Sequence, residues 1–179
     1  MGHDEAMAES APPIRASRVG DRSSSAPERA RILGLSPHPE GGWYRETWRS
    51  AAVLDTGDGR GRRSAATMIL FLLAAGDSSA WHRVASDEIW LWHGLGVLTI
   101  ELGGAGGSPI PEEQVVLGPD AAANERVQVL VPAGTWQRTI PAPDDVLVSC
   151  LVSPGFDFAD FTLAGEIRGP EPDSVTEER

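Results

Sequence analysis

From Trp43 onward, apolar and polar residues alternate with a period of two in short stretches, and no segment sustains a helical repeat. In Asp87-Glu-Ile-Trp-Leu-Trp-His93, Glu88, Trp90 and Trp92 share one face while Ile89, Leu91 and His93 share the other, because successive side chains of a strand point to opposite sides. Both faces carry apolar bulk. The segment therefore reads as a central strand with a packed layer on one side and a pocket on the other. Further strands are expected over residues 43–49, 65–73, 79–83, 97–102, 114–117, 127–131, 136–140, 146–152 and 156–163. Turn formers such as Gly76-Asp77, Pro119-Asp120, Pro132-Ala-Gly134 and Pro154-Gly155 separate them, at the spacing of roughly 8–12 residues that marks an antiparallel sandwich or barrel. The fold class is all-β.

One short helix is expected before the strands. Ser25 can cap it, Pro27 and Glu28 suit its first turn, Ile32 and Leu33 give an apolar edge, and Gly34 suits its exit. Residues 1–24, rich in Ala, Ser, Pro and Arg, and residues 165–179, rich in Gly, Pro and Glu, lack apolar periodicity and read as a disordered tail and a flexible acidic tail. Residues 25–164 are left as one domain, since 179 residues are too few for two cores at about 150 residues each.

Composition narrows the function classes. A content of 41% hydrophobic and 23% charged residues excludes wholesale disorder. The apolar run 65–75 is shorter than the roughly 20 residues of a membrane-spanning helix, and the N-terminus shows no basic leader before an apolar stretch, so a cytoplasmic protein with no membrane partner is expected. The net charge of -11, with no basic run longer than Arg60-Gly-Arg-Arg63, argues against a nucleic-acid partner. All 15 basic residues are arginine, which excludes Schiff-base chemistry and a phosphate-loop lysine. Cys150 is the single cysteine and lies in an apolar run, so it is expected to be a buried, inert thiol, and zinc held by several thiolates is excluded.

The candidate chemistry starts with His82 and Glu88. Burying an unpaired carboxylate at the head of an apolar strand costs several kcal/mol, so a partner is expected, either His82 or Arg45, as a structural ion pair or as an acid–base pair. Trp90 shares the face of Glu88 and offers an aromatic wall, and Gln137, just after Pro132-Ala-Gly134, can turn its amide inward. Regular alternation over 43–49 puts Arg45 and Thr47 on one face and Tyr44, Glu46 and Trp48 on the other. Tyr44 and Arg45 then cannot both point inward. Tyr44 can donate a proton or simply pack, and Arg45 can hold an anionic group. In 156–163 alternation puts Phe156, Phe158 and Asp160 together, opposite Asp157, Ala159 and Phe161. Arg83 is expected in a surface ion pair, while His3 in the tail and His38 between prolines are expected to be exposed. The glycine-rich stretch 103–107 reads as a hairpin connection, and neither Ser149 nor Ser153 sits on a nucleophile elbow.

Two segments, Gly76-Asp-Ser-Ser-Ala-Trp-His-Arg-Val-Ala-Ser-Asp-Glu-Ile-Trp90 and Val131-Pro-Ala-Gly-Thr-Trp-Gln137, resemble the paired motifs of the cupin superfamily. The closer resemblance is to the branch labelled predicted sugar epimerase, or cupin of unknown function. Pro37-His-Pro-Glu-Gly-Gly-Trp-Tyr-Arg-Glu46, Arg63-Ser-Ala-Ala-Thr67 and Val152-Ser-Pro-Gly-Phe-Asp-Phe-Ala-Asp-Phe161 match further recurring pieces in the same order. The resemblance implies a double-sheet jelly-roll barrel, usually a homodimer, with a pocket inside. In metal-dependent cupins the motifs supply three histidines and a glutamate. Carried over, His82 and Glu88 match two of these, whereas Val84 and Gln137 stand where the other two histidines belong, and Leu91 stands where the branch often has a histidine. That set is poor for iron, nickel or zinc, so no metal and no cofactor are expected.

The expected function is binding of a small polar or carbohydrate-like molecule in the barrel, possible catalysis being a metal-independent isomerisation or epimerisation by proton transfer. His82 and Glu88 would be the catalytic pair, and Tyr44, Arg45, Thr47, Trp90, Gln137 and Phe156 would contact the substrate. A non-catalytic binding or sensing module, a biosynthetic cyclase or isomerase, and a metal-dependent cupin enzyme are the alternatives.

Overall fold

A computed structural model describes residues 26–166. The helix α1, Glu28–Leu33, ends where Gly34 takes the left-handed conformation (φ 65°) and its N–H reaches the Arg31 carbonyl. Ala30 and Leu35 pack on Leu72, with Trp43, Leu70 and Leu147 around them, so the helix covers the outer face of a sheet. Pro27 stands at its N-cap without a side-chain cap. The expected cap Ser25 and the tail readings for 1–24 and 165–179 lie outside the described residues, except that Gly165 and Glu166 belong to a 3-10 turn, Ala164–Glu166.

Thirteen strands follow among the described residues: β1 Ser36–Pro37, β2 Trp43–Arg49, β3 Val53–Asp55, β4 Arg62–Ser64, β5 Thr67–Leu73, β6 His82–Val84, β7 Asp87–Leu95, β8 Leu98–Leu102, β9 Glu113–Leu117, β10 Gln128–Val131, β11 Gln137–Thr139, β12 Val146–Ser153 and β13 Phe161–Leu163. A six-stranded sheet runs β1-β2-β5-β12-β7-β10, a five-stranded sheet runs β13-β6-β11-β8-β9, and β3 and β4 form a separate hairpin. All strand pairs are antiparallel. Residues from both sheets, among them Phe71, Trp90, Leu98, Ile100, Leu117 and Val148, form one buried cluster. The all-β jelly-roll barrel with a short N-terminal helix is present as expected. No helix among the described residues is long and apolar enough to cross a membrane.

Three departures from the expected pattern bear on the site. In β2, Glu46 pairs with Ile69 but Trp48 with Met68 and Arg49 with Thr67, so Thr47 is the extra residue of a bulge. The face that carries Thr67, Ile69 and Phe71 therefore receives Arg49, Glu46 and Tyr44, whereas a regular strand would have presented Trp48 there. Residues 156–163 are not one strand. Asp157 caps a 3-10 turn, Phe158–Asp160, by accepting the Ala159 N–H, and only Phe161–Leu163 pairs in a sheet. The third departure is the β3–β4 hairpin, whose Thr56-Gly-Asp-Gly-Arg-Gly61 connection is too polar to read as a strand signal. The hairpin is tied down by Asp160, which accepts 2.8 and 2.9 Å bonds from Arg63 and a 3.2 Å bond from Arg60.

Candidate functional site

A cavity of about 460 Å³ opens inside the barrel. Residues of β2, β5, β7 and β12 line one side, and β6, β13 and the 156–158 turn line the other. The loop between β1 and β2 closes its inner end. There Gly41 (φ 116°) and Gly42 (φ 68°) take backbone conformations that favour glycine, and neither has room for a side chain. A Cβ on Gly41 would collide with the Ser78 carbonyl oxygen, and one on Gly42 would lie 2.8 Å from Phe71 Cζ. This tight passage, with Ala80 N–H bonded to the Glu40 carbonyl at 2.7 Å, places the Glu40 side chain on the cavity.

Glu40 was not singled out from the sequence, yet it is central. Its Oε2 lies 3.3 Å from His82 Nε2 and 3.3 Å from His38 Nδ1. His82 Nδ1 lies 2.8 Å from the Ala80 carbonyl, which can only accept, so Nδ1 carries the proton and Nε2 is an acceptor. Burial lowers His82 to about 4, and burial together with His82 lowers His38 to about 4. Burial, then the charge of Glu88, raises Glu40 well above the usual carboxylate range. The Glu40 proton therefore sits on its carboxyl group, between two neutral imidazoles. The expectation that His38 is exposed fails: its side chain is 6% exposed because the loop folds it against Tyr44, ring edge to face at 4.7 Å.

Glu88 takes neither expected partner, His82 or Arg45. Gln137 donates its amide N–H to Glu88 Oε2, and Trp90 donates its indole N–H to Gln137 Oε1 at 3.0 Å. An indole only donates, so Trp90 fixes the amide orientation and makes Gln137 a donor to Glu88. Burial raises Glu88 to about 7 even though the bonds from Gln137 and the Cys150 thiol oppose the rise. Cys150 is buried as expected but not remote: it lines the cavity, and burial, reinforced by the Glu88 charge, raises its thiol well above the ordinary value.

His82, Glu88, Tyr44, Arg45 and Phe156 line the cavity, and Thr47, Trp90 and Gln137 do not. Thr47 is the bulge residue, its hydroxyl bonded to the Met68 carbonyl at 3.2 Å. Trp90 and Gln137 are each 1% exposed and lie behind the cavity wall, so they position Glu88 and do not form a ligand surface. The wall that Trp90 was expected to supply comes instead from Phe71, Phe156, Phe158 and Phe161, with Phe161 stacked on His82 at 5.6 Å. Arg49, brought to the mouth by the bulge, is held by Glu46 through bonds of 3.0 and 2.7 Å. Arg83 stacks on Trp136 at 4.6 Å instead of pairing with an acid. The Gly41-Gly42 pair was the one sequence signal for Glu40; nothing in the pattern revealed Arg49.

The donors at the metal-ligand positions of the fold do not fit a resident metal. Val84 has no donor atom, both ends of the Gln137 amide are already bonded, and His82 Nε2 faces Glu40. No group of three or more His, Cys, Asp or Glu side chains among the described residues is arranged to hold a metal ion.

The family model described as Cupin superfamily (DUF985) matches residues 28–164. A solved structure of a hypothetical protein from Leishmania major is 35% identical, covering 74% of this chain and 82% of its own, with a TM-score of 0.66. A Shewanella oneidensis protein is 39% identical, covering 75% and 81%, also with a TM-score of 0.66. An uncharacterized conserved protein with a double-stranded β-helix domain from Klebsiella pneumoniae, 13% identical with a TM-score of 0.50 over 83% of this chain and 98% of its own, shares the fold. No curated protein matches the chain. A β-barrel of this topology, matched by that family model over nearly all of its described length, belongs to the cupin superfamily, in the family designated DUF985.

Proposed function

We propose that the barrel cavity binds a small molecule and isomerises or epimerises it by proton transfer without a metal, with Glu88 as the base and the Glu40–His82 pair as the acid. The observation that carries this reading is a buried carboxyl group poised to titrate at about 7, opening on the same cavity as a buried carboxylic acid bonded to imidazole. The two groups come from opposing walls, Glu88 from the six-stranded sheet and His82 from the five-stranded one. In the forward step the Glu88 carboxylate takes the proton from a C–H bond acidified by a neighbouring carbonyl, and the pair of electrons stays on the substrate as an enolate. Glu40 then gives its proton to the opposite face of that carbon, leaving its own charge against His82 and His38. Proton exchange with water after product release restores both groups.

The test is to recover the bound molecule from purified protein by mass spectrometry and incubate it with the protein in D2O. One deuterium should enter a C–H position, and Glu88→Gln should slow its entry by about 100-fold or more, the usual scale of general-base catalysis. A recovered molecule that takes up no deuterium would make the cavity a binding or sensing module.

A further inference from the structure

The charge at the inner end of the cavity is one-sided. Glu40 and Glu88 are buried there with two imidazoles held in the neutral form, the Cys150 thiol and the Tyr44 phenol. Among the described residues no cationic side chain is bonded to them: the arginines on the cavity, Arg45 and Arg49, stand on the exposed part of β2, and Arg49 is already held by Glu46, with Asp157 beside the same mouth. The remaining hydrogen-bonding capacity is mostly that of the carboxyl oxygens, since His82 Nε2 faces the Glu40 carboxyl group and His38 Nδ1 accepts the Glu40 backbone N–H. Around these groups stand the rings of Phe71, Phe156, Phe158 and Phe161, whose faces attract positive charge.

We infer that the cavity selects a protonated nitrogen base on a flat apolar framework, its N–H⁺ group directed to Glu88 and Glu40 and its framework set against the phenylalanine rings. An anionic ligand end would meet the Glu88 carboxylate in a medium of low dielectric, where like charges repel strongly. A neutral polyol can satisfy the acceptors and set its C–H faces on the rings, but it leaves the Glu88 charge without a counter-ion. A cation supplies that charge as well. This inference rests on the proposed function only in taking the cavity as the ligand site.

Three probes of nearly one shape test it: tryptamine, tryptophol and indole-3-acetate, which carry an ammonium, a hydroxyl and a carboxylate on the same indole skeleton. Their binding to the full chain is measured by titration calorimetry at pH 6, 7 and 8. Tryptamine should bind at least about ten-fold tighter than tryptophol, and indole-3-acetate more weakly than either. The groups facing Glu88 are Gln137 from β11, Cys150 from β12, Glu40 from the β1–β2 loop and His82 from β6, and Glu88 itself is raised by burial to about 7. Tryptamine affinity should therefore rise by about five-fold between pH 6 and 7 and by about two-fold more to pH 8, and lose this dependence in Glu88→Gln. Tryptophol or indole-3-acetate binding as tightly as tryptamine overturns the inference, as does failure of all three to bind. Deuterium entry into a recovered neutral or anionic ligand would leave the proposed function standing while the inference falls.

Discussion

Glu88 and Glu101 are a matched pair with opposite behaviour. Each is buried by the same measure, each sits in a strand, and each accepts a hydrogen bond from a glutamine amide: Gln137 for Glu88, and Gln114, at 2.9 Å, for Glu101. Glu101 also accepts from Arg138 Nε at 2.7 Å, and the bonds from Gln114 and Arg138 hold it below the usual carboxylate range. Glu88 has no arginine, and burial carries it up to about 7. At Glu101 the bonds from Gln114 and then Arg138 outweigh a small desolvation, whereas at Glu88 desolvation outweighs the bond from Gln137. The barrel separates a structural acid from a chemical acid by depth of burial together with the added guanidinium.

The sharpest way to break the comparison is to remove both charges in turn and follow stability with pH. Glu88 has a folded pKa above its unfolded one, so the stability it contributes is present below about 4.5 and is lost as pH rises through about 7. Glu88→Gln should escape that loss and gain relative to the parent by roughly 3 kcal/mol between pH 4 and 8, read from urea unfolding, since each pKa unit is worth about 1.4 kcal/mol. Glu101 is shifted the other way, so Glu101→Gln should fall behind the parent as pH rises from 3 to 6. Parallel pH profiles for the two variants would overturn the contrast between the two acids.

A smaller effect is expected at Asp160, another buried acid held by arginine. Asp160→Asn breaks the charge of a nearly buried network with Arg60 and Arg63 and should cost about 2 kcal/mol in urea unfolding. It should also weaken ligand binding, because the same 3-10 turn carries Phe158 and leads into Phe161. Normal affinity in Asp160→Asn would detach the wall from the network. The smallest change is Trp90→Phe, which frees the Gln137 amide to turn its oxygen toward Glu88. Glu88 would then be favoured as the neutral acid, and the pH midpoint of deuterium exchange should move upward by about one unit or less, whereas a downward move would contradict the relay.

The sheet was largely readable from the chain because short apolar-rich strands recur between turn formers, and in β8 and β12 a period of two puts apolar residues such as Leu98, Ile100, Val146 and Val148 in the core. Where polar residues do structural work the pattern misleads. Asp157 mimics the polar member of an alternating strand but caps a turn, and Thr47 looks like a face residue but is the one a bulge expels. The site was half readable. His82 and Glu88 stood out by residue type, Trp90 by sharing the face of Glu88 and Gln137 by its place just after Pro132-Ala-Gly134, although the position of the last two behind the wall follows from packing that no spacing reveals. His38 and Glu40 were hidden because Pro37, Pro39 and two glycines make their segment look like an exposed turn, and only the close approach of that turn to Ser78 and Phe71 buries them.

The division of labour along the chain has an evolutionary reading. The proton-handling groups sit on the β1–β2 loop, β6 and β7, whereas the rings facing the ligand body hang from the 156–161 segment, anchored by Asp160 to a hairpin that shares nothing with the acid–base groups. Drift in that aromatic segment can swap one guest for another while the reactive end is inherited intact.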